Sequence, residues 1–212
     1  TYTEPTVYFE YAYDIARQAA ENEILTVLVT NGFINPAPLK KIAPFVTGAN
    51  VDLKGWSDDF YRQICGGELK PVLQTLRQMK KSGIWVEVTT LMVTGLVDNE
   101  KQLREIAQFI LDELGPETPW HISRFYPHYR FYSPPTPPEK LSRARAIGLD
   151  QGLQYVYCGN LAGDEGENTY CPSCGKLLIH RYGFTIVSNI ISEDRCPDCH
   201  TEIAGLGMNH LN

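Results

Sequence analysis

The sequence lacks any apolar run approaching the roughly 20 residues that cross a bilayer, so no transmembrane helix and no membrane partner are expected. It also lacks a surplus of positive charge. Its 19 Lys+Arg stand against 25 Asp+Glu, a formal net charge of −6. A chain made chiefly to hold phosphate backbones carries the opposite sign, so no nucleic-acid partner is expected. There is no internal repeat and no low-complexity tract, and the Pro-rich stretch at 133–138 is short. There is no secretory signal pattern and no leading Met. The chain opens at Thr1 on residues that read as the end of a structural element, so a fragment of a longer chain is expected. What remains is an ordinary globular balance, 43% hydrophobic and 21% charged over 212 residues. That excludes a disordered tail, a fibre and a coiled coil, and suits one domain of about 150 residues with a small annex.

Two hydrophobic periods alternate along the body. Residues 24–30 (ILTVLVT) form a continuous β-branched run that reads as a strand buried on both faces. Further strands are read at 50–54, 84–93, 120–126 and 154–158. Helical patterns lie between them. The strongest spans 99–114, with Leu103, Ile106, Ala107, Ile110, Leu111 and Leu114 on one stripe and Gly115-Pro116 as the stop. Others are read at 5–23, 38–45 and 70–81. Thr136-Pro137-Pro138-Glu139 has the capping-box pattern and predicts a helix to about Asp150. Strands alternating with helices predict an α/β fold of parallel strands. Periodicity does not separate a partial (β/α) barrel from an open doubly wound sheet, but both put the active face at the carboxyl ends of the strands.

Residues 159–169 (GNLAGDEGENT) read as a linker, and the composition changes after it. Of six cysteines, four crowd the end of the chain as Cys171-x-x-Cys174 and Cys196-x-x-Cys199. A C-x-x-C turn aims two sulfurs at one point, and two such turns close a tetrahedral shell. A hairpin between them, from 176–179 and 184–191 with 181–183 at its tip, completes a zinc-ribbon pattern. A structural zinc site is the expected reading. A single iron uses the same ligand set and would shuttle electrons. His200 reads as a solvated neighbour, and the isolated Cys65 and Cys158 as small buried hydrophobes.

An ordered set of strings then carries a family resemblance: Tyr2-Thr3-Glu4-Pro5, Thr30-Asn31-Gly32, Asp52-Leu53-Lys54, Val93-Thr94-Gly95 and Arg124-Phe125-Tyr126-Pro127-His128. The chain resembles radical S-adenosylmethionine (SAM) enzymes, in the branch of the pyruvate formate-lyase activating enzymes. Its strings and Cys-rich end are most similar to the radical enzyme of the AmmeMemoRadiSam system. The resemblance implies a partial (β/α) barrel over 1–160, with linker and ribbon over 161–212. It implies SAM and a four-iron–four-sulfur cluster as cofactors, an electron donor for that cluster, and a reducing cytoplasm. It also implies hydrogen abstraction by a 5′-deoxyadenosyl radical, with a protein as the suggested substrate by analogy with the activating enzymes.

Residue by residue, Glu4 matches the acid that meets the SAM amino group, although Tyr2-Thr3 replaces two glycines of the family string. Read without the resemblance, Glu4 is an acid at a helix N-terminus. Thr30 and Asn31 match a strand-end string, with Val29 where an acid often stands. Asp52 and Lys54 match residues that hold polar groups of the cofactor or a cation, or else form a buried ion pair. His128 matches a residue near the adenosine, and Arg124 is offered to a carboxylate or the cofactor. The cluster-binding C-x-x-x-C-x-x-C triad of the family does not occur in the 212 residues, and its cysteines are expected upstream of Thr1. The rival class is a non-catalytic scaffold with the ribbon as a docking module.

Overall fold

A computed structural model of the chain describes residues 3–208; Tyr2, which begins the first string of the resemblance, lies outside them. A turn of 3-10 helix at Pro5–Tyr8 leads into α1 (Phe9–Glu21). Then β1 (Val27–Thr30), α2 (Pro36–Ile42), β2 (Gly48–Asp52) and a short α3 (Asp58–Phe60) follow. After them come α4 (Leu69–Lys81), β3 (Trp85–Met92), α5 (Glu100–Phe109), β4 (Trp120–Arg124), α6 (Pro138–Asp150) and β5 (Val156–Gly159). The five strands pair in parallel in the order β1-β2-β3-β4-β5.

One face of this sheet buries the core. Leu28, Val51, Val88, Ile122 and Val156 pack against Val72, Leu76 and Met79 of α4, Leu103 and Ile106 of α5, and Leu141 and Ile147 of α6. The alternate strand positions point the other way. There stand Asn50, Glu87, Thr89, His121, Ser123 and Tyr157, all half-buried. A doubly wound sheet covers both faces with helices; here the second face is a polar concave surface, the mark of a partial barrel.

That face corrects one sequence reading. The 24–30 run is not buried on both sides: the strand covers only Val27–Thr30, and Val27 and Val29 are 61% and 65% exposed. β1 is an edge strand, and among the described residues no helical layer lies over its concave side. Gly32, just after it, has φ +73°, and an added Cβ would stand 2.8 Å from Val51 and 3.1 Å from Val72. Only glycine fits so close to the core in that backbone region.

The helix borders follow local chemistry. Asn99 caps α5 by accepting the Gln102 N–H at 3.0 Å, and the helix closes through a π turn, Ile110–Leu114, onto Gly115 at φ +100°. The Thr136 capping box does not form. Pro137 is the N-cap residue of α6, and the fully buried Thr136 hydroxyl instead accepts the Phe125 N–H at 3.1 Å and donates to the Met92 carbonyl. These backbone groups leave the ends of β4 and β3 and have to be satisfied somewhere.

A second, antiparallel sheet of β6 (Thr169–Tyr170), β7 (Leu177–Tyr182) and β8 (Thr185–Asn189) forms the C-terminal ribbon. Its core of Leu178, Ile179, Ile191, Ile203, Cys171 and Cys196 includes Tyr155, from the lead-in to β5. The Tyr155 hydroxyl accepts the Ala204 N–H at 3.2 Å, which seats the ribbon against the barrel. The hairpin tip is Gly183-Phe184, so Arg181, expected in the tip, lies inside β7.

Candidate functional site

Three of the residues singled out from sequence meet at the carboxyl end of β1. Glu4 Oε1 accepts the Thr30 hydroxyl at 2.7 Å and the Thr6 N–H at 3.1 Å, while Oε2 accepts the Asn31 N–H at 2.7 Å. The helix N-terminus reading of Glu4 holds, since it caps the following helical turn, and the same carboxylate also locks two strand-end residues. Asn31 turns its Oδ1 onto the Phe33 N–H at 2.8 Å, and Thr30 accepts the Gly32 N–H at 3.1 Å. Two chain segments, 4–6 and 30–33, are thereby fixed around one carboxylate.

At the next strand end Lys54 Nζ stands 2.7 Å from Asp52 Oδ2, with side chains 38% and 35% exposed. The expected ion pair exists, but it is half open rather than buried. The Lys54 N–H donates to the Tyr61 hydroxyl at 3.0 Å, and burial pushes that phenol far above its ordinary range. Asn31, Lys54, Tyr61 and Cys65 line a small cleft of about 170 Å³. Cys65 is exposed, which corrects its reading as a buried hydrophobe: it ends the π turn Tyr61–Cys65 at the rim. Desolvation raises its thiol and the Lys54 charge opposes this. Cys158 is buried as expected, and burial pushes its thiol up to about 12.

His128 is not brought to this group. It is exposed in the loop after β4, where its carbonyl accepts the Phe131 N–H at 3.2 Å. Arg124 is committed to protein: Nε donates to the Thr136 carbonyl at 2.8 Å and Nη1 to the Tyr126 hydroxyl at 2.7 Å.

The concave face carries a cluster that sequence reading missed. His121 Nε2 lies 2.7 Å from Glu87 Oε2, and the Trp85 indole donates to Glu87 Oε1 at 3.1 Å. Burial raises the Glu87 carboxyl, but the His121 bond and charge, the Trp85 N–H and the nearby Arg181 charge outweigh it and hold the group below 4.5. The His121 ring stacks on Tyr157 at 5.1 Å, and Arg181 of β7 lies 5.6 Å from the same ring. The signal was in the sequence: Glu87, Thr89, His121 and Ser123 are polar at every second strand position, where a doubly covered strand is apolar.

The four ribbon cysteines converge. Their sulfurs all lie within 4.8 Å of one another, with Cys171–Cys199 at 3.5 Å and Cys174–Cys196 at 3.7 Å. A tetrahedron of Zn–S bonds of about 2.3 Å has edges of about 3.8 Å, so the donor set fits a single tetrahedral ion. The two turns are alike. The Cys171 N–H donates to the Lys176 carbonyl at 2.8 Å and the Cys196 N–H to the Thr201 carbonyl at 2.9 Å. Gly175 and His200 follow the second cysteine of each pair at φ +74° and +60°. His200 is therefore a backbone turn residue and not a ligand. The Thr201 hydroxyl and N–H hold the Cys199 thiol down to about 6.

A model of the Radical SAM superfamily matches residues 1–110. The chain belongs to that superfamily. It is 50% identical over 206 residues to an uncharacterized protein of Methanocaldococcus jannaschii, an alignment that covers 96% of this chain and spans 61% of the length of that curated relative. Among solved structures, it resembles a domain of pyruvate-formate lyase-activating enzyme from Bacteroides vulgatus. The TM-score is 0.64 at 18% identity, over 76% of this chain and 96% of that domain. It also resembles Streptococcus suis SuiB bound to S-adenosylmethionine, with a TM-score of 0.59 at 14% identity, over 74% of this chain and 36% of SuiB. At these identities the likeness is one of fold, and it confirms the radical SAM partial barrel.

Membership in the superfamily implies SAM and a four-iron–four-sulfur cluster in general. The strand-end group fits the first: a carboxylate, a hydroxyl, an amide and a lysine converge where the fold places ligands. The cysteines do not fit the second. No C-x-x-x-C-x-x-C triad occurs in the 212 residues. The four ribbon sulfurs point at one ion, whereas a cluster needs each cysteine on a different iron.

Proposed function

We propose that this chain forms the cofactor- and substrate-binding wall of a radical SAM enzyme of the AmmeMemoRadiSam system, whose cluster cysteines lie outside these 212 residues. One observation carries the reading: Glu4, Thr30 and Asn31 are locked together at the carboxyl end of β1, beside the Asp52–Lys54 pair. Glu4 keeps acceptor capacity on Oε2 for the SAM ammonium. Asp52 and Lys54 offer one charge of each sign to its polar groups, and His128 reaches the adenosine by closure of the exposed loop after β4. SAM bound here beside a reduced cluster would supply radical hydrogen-abstraction chemistry. This chain's residues orient the cofactor and shield it from water.

The substrate on this reading is a protein, as the name of the structurally similar activating enzyme suggests for that enzyme. Residues 1–160 form the barrel part, and 161–212 the linker and a zinc-bearing ribbon. On this reading the protein works in a reducing cytoplasm, where four thiolates stay free to hold a metal, and an electron donor serves its cluster. The test is anaerobic isolation of the full-length protein, with iron, sulfide and zinc analysis and an assay for reductive cleavage of SAM. Four irons, sulfide, one zinc and 5′-deoxyadenosine support the proposal. One zinc, no iron and no 5′-deoxyadenosine overturn it in favour of a metal-binding scaffold.

A further inference from the structure

A cleft of about 680 Å³ opens between the carboxyl ends of β4 and β5 and the β7–β8 hairpin. Its volume is that of a small-ligand site. Tyr126 and Asn160 line it from the barrel rim, His121 and Tyr157 from the concave face, and Arg181 and Phe184 from the ribbon.

Arg181 is the informative member. Its Nη1 donates to the Glu167 carbonyl at 3.1 Å and to the Thr169 hydroxyl at 2.8 Å. Thr169 also meets the Tyr157 hydroxyl at 3.0 Å, and Arg181 lies over the Tyr157 ring. One end of the guanidinium is thus anchored through neutral partners. The acids nearby are spent elsewhere: Glu167 Oε2 accepts the Gly163 and Gly183 N–H groups at 2.9 and 3.1 Å, and Glu87 is held by His121 and Trp85. Among the described residues nothing accepts from Nε or Nη2 of Arg181. That edge of a guanidinium matches the two oxygens of a carboxylate. A half-buried arginine fixed at one end, near the Glu87 charge but with no carboxylate bonded to it, beside an aromatic-lined cleft, is a preorganised acid receptor.

We propose that the cleft between the barrel and the ribbon binds a carboxylate-bearing substrate, whose acid group is clamped by Arg181. This deepens the proposed function by naming a substrate class, and it rests on the concave face being the reaction chamber. It also gives the ribbon a role beyond holding a metal, since β7 delivers the recognising side chain.

The test uses the zinc-loaded chain and needs no cluster. The arginine Nε–H resonances are followed by NMR while 4-hydroxyphenylacetate is added, then its neutral amide. A second arm uses a blocked pentapeptide with one Asp, against the same peptide with Asn. The expected result is an Arg181 Nε–H shift with an acid and none with its neutral partner; the arm that responds tells a small-molecule acid from a protein side chain. Arg181→Gln should weaken the acid by about tenfold or more while zinc content stays at one per chain. If that variant does not fold, the acid-against-amide comparison in the unaltered chain decides. Equal shifts with acid and amide, no acid-dependent shift at Arg181, or undiminished binding to a folded Arg181→Gln overturns the proposal. Its failure is separate from that of the enzyme reading, which stands or falls on 5′-deoxyadenosine formation by the full-length protein.

Discussion

Replacing Glu4 tests the arrangement that organises the strand ends. The carboxylate accepts three hydrogen bonds, from Thr6 N, Thr30 Oγ1 and Asn31 N. A hydrogen bond to a charged group nets about 1.5–3 kcal/mol where it is sheltered. Glu4 is only half-buried, so the two freed N–H groups can find water, while the Thr30 hydroxyl is buried and cannot. Glu4→Ala should therefore cost about 2–3 kcal/mol in total rather than three full bonds. Glu4→Gln can keep its oxygen on the Oε1 side and loses chiefly the Asn31 bond, at about 1 kcal/mol. For a chain of this size each kcal/mol lowers Tm by about 2–4 °C, so Glu4→Ala should melt about 5–10 °C below the parent. Thermal unfolding at neutral pH followed by circular dichroism reads both. Combining Glu4→Ala with Thr30→Val should show coupling of about 0.5 kcal/mol or more, because the pair shares a bond. A Glu4→Ala variant within about 0.5 kcal/mol of the parent, or strict additivity with Thr30→Val, refutes the carboxylate as the organiser.

Thr136→Val keeps the side-chain volume but strands the buried Phe125 N–H and Met92 carbonyl. A loss of about 2–4 kcal/mol is expected by urea unfolding, and a loss under about 1 kcal/mol contradicts the pairing. Cys171→Ser removes one of four ligands, so metal analysis should fall from one ion per chain towards none. Amide exchange should then rise across β6–β8 while β1–β5 stay protected; unchanged metal content rules the site out. Glu87 is held below 4.5 in the folded chain, so its carboxylate adds stability above that value and the contribution is lost as pH falls through the lower folded value. The stability gap between parent and Glu87→Gln should therefore hold above the ordinary carboxylate range and close as pH falls through and below it. A gap that stays constant over that range refutes the assignment.

Most of the fold was legible because the apolar stripes of α4 and α5 and the β-branched runs of β1 and β3 answer to one buried face each. The four-thiolate site was legible because C-x-x-C spacing alone fixes where two sulfurs point. Harder were features set by partners distant in sequence. Thr136 carries every local mark of a helix cap, yet two strand-end backbone groups, 11 and 44 residues away, claim its hydroxyl. Val27 and Val29 read as core because a run of apolar residues says nothing about whether a helix layer covers its second face. His121 and Arg181 lie in different sheets, and only the seating of the ribbon brings both to Tyr157. His128 was reached only through resemblance to a family string, and its exposed loop gives no geometry that ties it to Glu4.

The edge strand β1 has a practical consequence. Among the described residues no strand pairs with the outer side of β1, and Ile24, Leu25, Val27 and Val29 are exposed along it. Residues 24–30 include no lysine, proline or acid to deter a second chain. Handled alone, this polypeptide offers an uncharged adhesive border to any extended segment. Its solution behaviour should depend on concentration, and a single charge placed at Val29 is the simplest way to keep it monodisperse.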